Sequence, residues 1–433
     1  MISEAERILE RVRGLGDQVE VIIHRSRGYS ARIESNRILM PSASSEEGVG
    51  IRVIVSGSEG FSHSNRVGSF MEVAEAARRI ARVSEAKGVT LPSGGEYVEV
   101  RNFDPELEAA EPELVVELAR RVLSAASEVS HDVVVDLSTV DIWVTEFAIA
   151  NSEGVSVSHS STGVSYAVVA FAKRGGKVSS FDFRQESRSR LGELELEDQV
   201  RDLAEQVLMS LDTGRLGEFR GPIMLSPEAF AVFLGSVATA LSADNVLRGR
   251  SPLAGKLGHR AFSESLTIVD DGLRGDSPSS SPADREGAPR SRNTLVENGV
   301  VKTYMHRHYT AMRMNARNTG NASSFSTLPV VAPTNMEVLP GEAGKEELLE
   351  SVDRALWVSR LSAMPDHMGN VSGTVKGGWL IEKGEWVRPV REVQISGNVF
   401  EALRNVLGVS RERRRVSTHL LPFVLLEGLS VTG

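Results

Sequence analysis

The chain has 433 residues, 41% of them apolar and 25% charged, which is the balance of an ordinary folded protein with room for two or three cores. It has no cysteine, so disulfides, thiolate nucleophiles and Cys-ligated zinc are excluded. Aromatics at 5% and a net charge of −9 argue against a nucleic-acid surface.

In chain order, the acidic start Met1-Ile2-Ser3-Glu4-Ala5-Glu6 has neither the basic nor the apolar part of a leader, and a cytoplasmic protein is expected. No apolar run reaches the ~20 residues of a membrane span; the longest, Ala229 to Ala240, is interrupted by Gly235 and Ser236. Ala5, Ile8, Leu9 and Val12 share a helical face. Val19 to His24 and Ala31 to Ile33 read as two strands with a turn at Arg27-Gly28, and Gly48 to Val55 as a third. Phe70, Val73, Ala74, Ala77 and Ile80 predict an amphipathic helix. Residues 87–104 lack periodicity and read as a linker.

Leu114, Leu118 and Val122 then predict a helix. Val133 to Ala150, Val155 to His159 and Val164 to Ala172 predict strands, and Leu196, Val200, Leu203, Val207 and Leu211 a closing helix. The order helix, strands, helix thus occurs twice, as two similar subdomains would give, without a residue-level repeat. Beyond a boundary at 212–221, short strands and glycine turns dominate. Asn298-Gly299 and Lys383-Gly384 mark hairpins. Gly275 to Arg292 is a long Ser/Pro-rich loop of the kind that is usually functional or disordered. The dense basic run Arg411 to Arg415 reads as a solvated turn. The expected fold is α+β: an N-terminal subdomain at 1–90, a central one at 105–212, together a sandwich-like α/β half, and a mostly antiparallel β domain at 220–433.

Chemistry is sparse. None of the nine histidines is followed by glutamate and no two have helical metal-site spacing, so a helical zinc site is not encoded. His306 and His308 would share a face of a strand and could chelate a metal, yet no third ligand can be named, and two surface histidines at a strand end is the plainer reading. There is no G-x-S-x-G elbow, no phosphate-binding GxxxxGK[ST] and no strand-linked GxGxxG. Asp270-Asp271 and Asp284-Arg285-Glu286 are rich in acids, which in such loops more often accept backbone N–H bonds than transfer protons.

Segments spread along the chain resemble the TldD/PmbA family: GVGIRVIVSGSEGFSHSN (48–65), ANSEGVSVSHSSTGVS (150–165), RSPLAGKLG (250–258), VDDG (269–272), DREGAPRSRNTLVENGVVKTYMHRHYTA (284–311), NTGNAS (318–323), PTNMEVLPGE (333–342) and GGWLIEKGEWVRPVREVQISGN (377–398). The resemblance implies one of two related subunits. The TldD kind carries a helical His-Glu-x-x-x-His signature and a metal-ligand cysteine, and the TldE or PmbA kind lacks both. Here Leu234, Gly235 and Thr239 stand at the His, Glu and His positions, which is similar to the second kind.

The implied function is that of a non-catalytic subunit of a metalloprotease complex acting on peptides and small unfolded proteins. It would hold no cofactor itself, the zinc lying in a TldD-like homologous partner, and the peptide would enter a chamber between the two chains. The loop at Asp284, Arg285, Glu286 and Gly287 is the candidate contact to peptide or partner, although Arg285 replaces an acid frequent in the family. Two alternatives stay open: a stand-alone metal-dependent hydrolase using His306 and His308, and a peptide-binding homodimer. Neither nucleic acid nor membrane is an expected partner.

Overall fold

The computed structural model describes residues 1–433 except Ala86, Lys87, Glu218 and Glu392, so the first residue of the expected linker and one residue of the expected 212–221 boundary lie outside the described residues. Its N-terminal half is one antiparallel sheet whose strands run Ser58–Ser64, Ser42–Val55, Gln18–Glu34, Val133–Asn151, Ser156–Arg174 and Asp182–Arg188 from edge to edge, with two short strands at its rim. This order is symmetric. Each half-chain contributes a helix, three strands and a helix, and the first strands of the two halves pair along the centre, from Glu20↔Asn151 to Ile33↔Ser138. The helices Ile2–Val12 and Phe70–Val83 cover one end of one face, and Pro112–Val129 and Leu196–Met209 cover the other end.

The expected turn at Arg27-Gly28 and the expected division of 155–172 into two strands are both absent. Val19–His24 and Ala31–Ile33 belong to one 17-residue strand running through Gly28, and 155–172 is essentially one strand, Ser156–Arg174, running through Gly163. Both glycines flank Trp143 in the same row, Gly28↔Trp143↔Gly163. A Cβ at Gly163 would lie 2.2 Å from the Trp143 ring, and one at Gly28 would lie 2.3 Å from the Ile142 carbonyl. The glycines admit close approach rather than reverse the chain.

The C-terminal half is a twelve-stranded, mostly antiparallel sheet with Ile223–Leu225 near its middle. Both predicted hairpins form: Asn298 and Gly299 have φ of 47° and 76°, and Lys383 and Gly384 have 50° and 80°, the positive pair that a type I′ turn requires. Packed on the sheet is the helix Pro227–Leu241, buried on most of its surface. Ser226 caps it by accepting from the Ala229 N–H at 3.2 Å. Arg411 to Arg415 is not a turn but part of the strand Val406–Val416, and its cations meet acids. Arg414 lies 3.2 Å from Glu228 and 3.1 Å from Asp202, and Arg415 pairs with Asp276. No helix among the described residues is long and apolar enough to cross a membrane.

Candidate functional site

The face of the N-terminal sheet that carries no helices is polar at its covered end, because the C-terminal domain closes over it. Strand alternation puts Glu20, Ile22 and His24 on that face, beside Arg52 on the next strand (Glu20↔Arg52). The loop 275–292 lies across these residues. It is a loop, as expected, but a buried one. Asp284, Arg285 and Glu286 are each at most 2% exposed, because they answer charges on the sheet. Arg52 donates to Glu20 at 2.9 Å and to Glu286 at 2.7 Å, with Glu59 3.7 Å away, and Arg285 donates to Glu20 and, through Nε, to the Ser324 carbonyl at 2.7 Å. Glu286 also accepts from the His308 backbone N–H at 2.8 Å.

Burial works against the charged form of Glu286, but Arg52 outweighs it and its pKa is lowered. For Glu59 burial wins and the pKa rises. Asp284 closes the turn: one oxygen accepts from the backbone N–H of Glu286 and Ala288, the other from that of Ala322 at 3.0 Å. Burial and neighbouring Glu286 push its pKa up. Asp270, buried on its strand, likewise accepts from the backbone N–H of Thr334 and Asn335, both at 2.8 Å, and from Asn321. These carboxylates therefore hold backbone in place, as loop acids commonly do.

Next to the cluster, between sheet and C-terminal domain, is a cavity of about 270 Å³. Its floor is Thr145, Phe147, His159 and Ser161 on the sheet, and its walls come from the 278–290 loop and from 322–325 and 332–334. The rings of Phe147 and Phe325 lie 5.6 Å apart, and Phe325 also stacks on His24 at 5.8 Å. Asn102 gives both amide hydrogens to the carbonyls of Ser277 and Ser280, so its oxygen must accept from His159 Nε2 at 2.9 Å. Nε2 is therefore the protonated nitrogen, and burial, then Arg290, pull the pKa of the ring down to about 4.

The structure separates His306 from His308. The expected strand ends at Val301, and His308 instead opens the short helix His308–Arg313. His306, 1% exposed, has Nδ1 3.3 Å from Thr310 Oγ1, and His308 Nε2 is 3.0 Å from Thr90 Oγ1. They are not a pair of exposed histidines at a strand end. No group of three or more His, Cys, Asp or Glu side chains among the described residues could hold a metal. On the helix Pro227–Leu241, Leu234 points into the core, Gly235 is exposed, and Thr239 donates to the Gly235 carbonyl at 2.9 Å. This set does not fit zinc: it offers one hydroxyl, and that hydroxyl is used within the helix.

Residues 19–81, 105–211 and 218–433 match the first, central and C-terminal domains of the PmbA/TldA metallopeptidases. A metalloprotease of Methanothermobacter thermautotrophicus is 30% identical over 405 residues, spanning 90% of this chain and 87% of the relative. The chain belongs to the PmbA/TldD metalloprotease family. Among solved structures, TldE from Thermococcus kodakarensis superposes with a TM-score of 0.92 at 26% identity, covering 99% of this chain and 100% of that one. Metalloprotease PmbA of Escherichia coli O157:H7 is 23% identical over 98% of this chain and 94% of its own. Within this family member, Glu20, Arg52, Arg290 and Phe325 escaped the sequence reading. Arg52, a charge amid the β-branched run 49–55, was the one visible signal.

Proposed function

We propose that this PmbA/TldD protein is the non-catalytic partner subunit of a metalloprotease complex that processes or degrades peptides and small unfolded proteins. A homologous subunit with a His-Glu-x-x-x-His helix would supply the zinc. One observation carries the reading: the helix Pro227–Leu241 presents Leu234, Gly235 and Thr239 where the resemblance places the metal-binding signature, and none of these can ligate zinc or activate a water. The likeness to TldE over the whole chain supports it.

In this reading the chain contributes shape rather than acid–base chemistry, together with a polar cavity at its domain junction. The test is reconstitution. The purified chain alone is expected to bind substoichiometric zinc and to leave casein intact, and co-expression with the zinc-motif homologue to give a stable complex with chelator-sensitive cleavage. Chelator-sensitive degradation of casein by the isolated chain would overturn the assignment.

A further inference from the structure

Acids outnumber Lys and Arg in this chain, 58 to 49, yet two stretches hold no acid at all: Asn245 to Ser263 and Asn298 to Met336. The fold lays parts of them side by side. The helix Ala243–Leu247 packs against His308–Arg313, and the Ala243 N–H donates to the Met305 carbonyl at 3.0 Å. Further along, the Gly258 N–H donates to the Val301 carbonyl at 2.8 Å, and Tyr304 donates to the Leu253 carbonyl at 2.6 Å. Asp244, just ahead of the first stretch, is used internally, accepting from Arg307 at 3.2 Å and from the Val331 N–H at 3.1 Å.

The surface so formed is cationic. Arg248, Arg250, Lys256 and Arg313 are exposed, and among the described residues none of the four has a carboxylate within 4.0 Å. The acids at its margin are taken, Glu264 by Arg260 at 2.7 Å and Glu297 by Lys302 at 3.1 Å. Leu247, Leu257 and Met312 each adjoin one of the unpaired cations in the chain and are 42%, 44% and 41% exposed, so apolar surface is interspersed with the charge. A surface that serves only solubility mixes the two signs, and this one does not. It also borders the helix Pro227–Leu241 at its exposed Thr239, whose carbonyl accepts from the Asn245 amide at 2.8 Å.

We propose that this surface docks acidic segments of unfolded peptides. Their carboxylates answer the unpaired cations, and an extended chain brings its apolar side chains to Leu247, Leu257 and Met312 without a fixed geometry. Charge elsewhere on the molecule favours a short peptide over an anionic membrane or a nucleic-acid duplex. Screening confines each group's field to about 8 Å at physiological salt, so a short peptide feels only the patch, whereas an extended polyanion also meets the rest of a chain whose net charge is −9. The identity of the docked peptide as a substrate rests on the function proposed above. Docking itself does not, so it is measured on the isolated chain and apart from cleavage.

The experiment is fluorescence anisotropy of the purified full chain with a labelled peptide of Gly-Glu-Leu-Glu-Ser repeats, and with its counterpart carrying Gln for Glu. The acidic peptide is expected to bind at least about tenfold more tightly at low salt, with the difference shrinking as salt rises. Arg250→Gln combined with Lys256→Gln should weaken the acidic peptide by about tenfold. Arg79→Gln combined with Arg82→Gln removes the same charge from exposed positions on the helix Phe70–Val83 and should leave binding unchanged. Equal binding of the two peptides, or equal weakening by the two pairs of substitutions, would overturn the proposal. So would tighter binding of phosphatidylserine vesicles or duplex DNA that is lost with Arg250 and Lys256. Failed docking beside a working reconstituted protease removes this inference alone, and docking without reconstitution removes only the function proposed above.

Discussion

Gly287 sits at the turn that carries Asp284, Arg285 and Glu286, with φ of +76°, and a Cβ there would fall 2.3 Å from Val155 Cγ1. Both the left-handed backbone and the contact forbid a side chain. Gly287→Ala is expected to destabilise by about 1–3 kcal/mol in denaturant unfolding, and a neutral result would show that the turn relaxes freely. Arg52 is the centre of the buried ionic cluster, so Arg52→Met strands Glu20 and Glu286. Breaking such a network from one side costs about 3–5 kcal/mol, expected as a fall in the denaturation midpoint.

His159, His306 and His419 have pKa values lowered to about 4, in each case first by burial. Between there and the ordinary 6.5 the unfolded chain binds more protons at these sites than the folded one, so their contribution to stability is complete above about 6.5 and is lost as pH falls towards 4. NMR titration of the imidazoles is expected to place all three midpoints well below 6.5. At this scale the Asp284–Gly287 turn was legible as a motif. Its partners were not, because Arg52 and Glu286 are 234 positions apart and only the packed domains bring them together.

Among elements, amphipathic helices were the most legible: the predicted helices over 70–80, 114–122 and 196–211 form as Phe70–Val83, Pro112–Val129 and Leu196–Met209. Ile80, predicted on the buried face of the first, is 46% exposed. The helix Pro227–Leu241 was hidden from period counting because nearly every side of it is apolar, packed on a sheet on one side and loops on others. Its readable signal was Ser226-Pro227-Glu228, a cap followed by proline in the first turn. Ser226 both receives the Ala229 N–H and donates to the Ser359 carbonyl, so Ser226→Ala is expected to lower stability by about 1–2 kcal/mol in urea unfolding. Arg27-Gly28 reads as a turn because glycine usually interrupts a strand. Gly28 and Gly163 do the opposite, making room for Trp143 between them.

For the whole molecule, the sheet of the N-terminal half is completed only when both half-chains pair at its centre, and its helix-free face packs against the C-terminal domain and against Tyr97 and Asn102. The two halves should therefore unfold together, and calorimetry is expected to give a single transition; a resolved early transition for either half would contradict the coupling. The amino-acid sequence by itself determined the α+β class, the family, the hairpin turns and the lack of any His-Glu pair, because these depend on local periodicity, turn chemistry and residue identity. Tertiary structure alone decided that the segment 280–288 of the loop is buried, that His306 and His308 part company, and that Arg290 and Phe325 line a common cavity. Those outcomes depend on which distant charges and apolar faces meet when two sheets close on one another, and no local pattern encodes that.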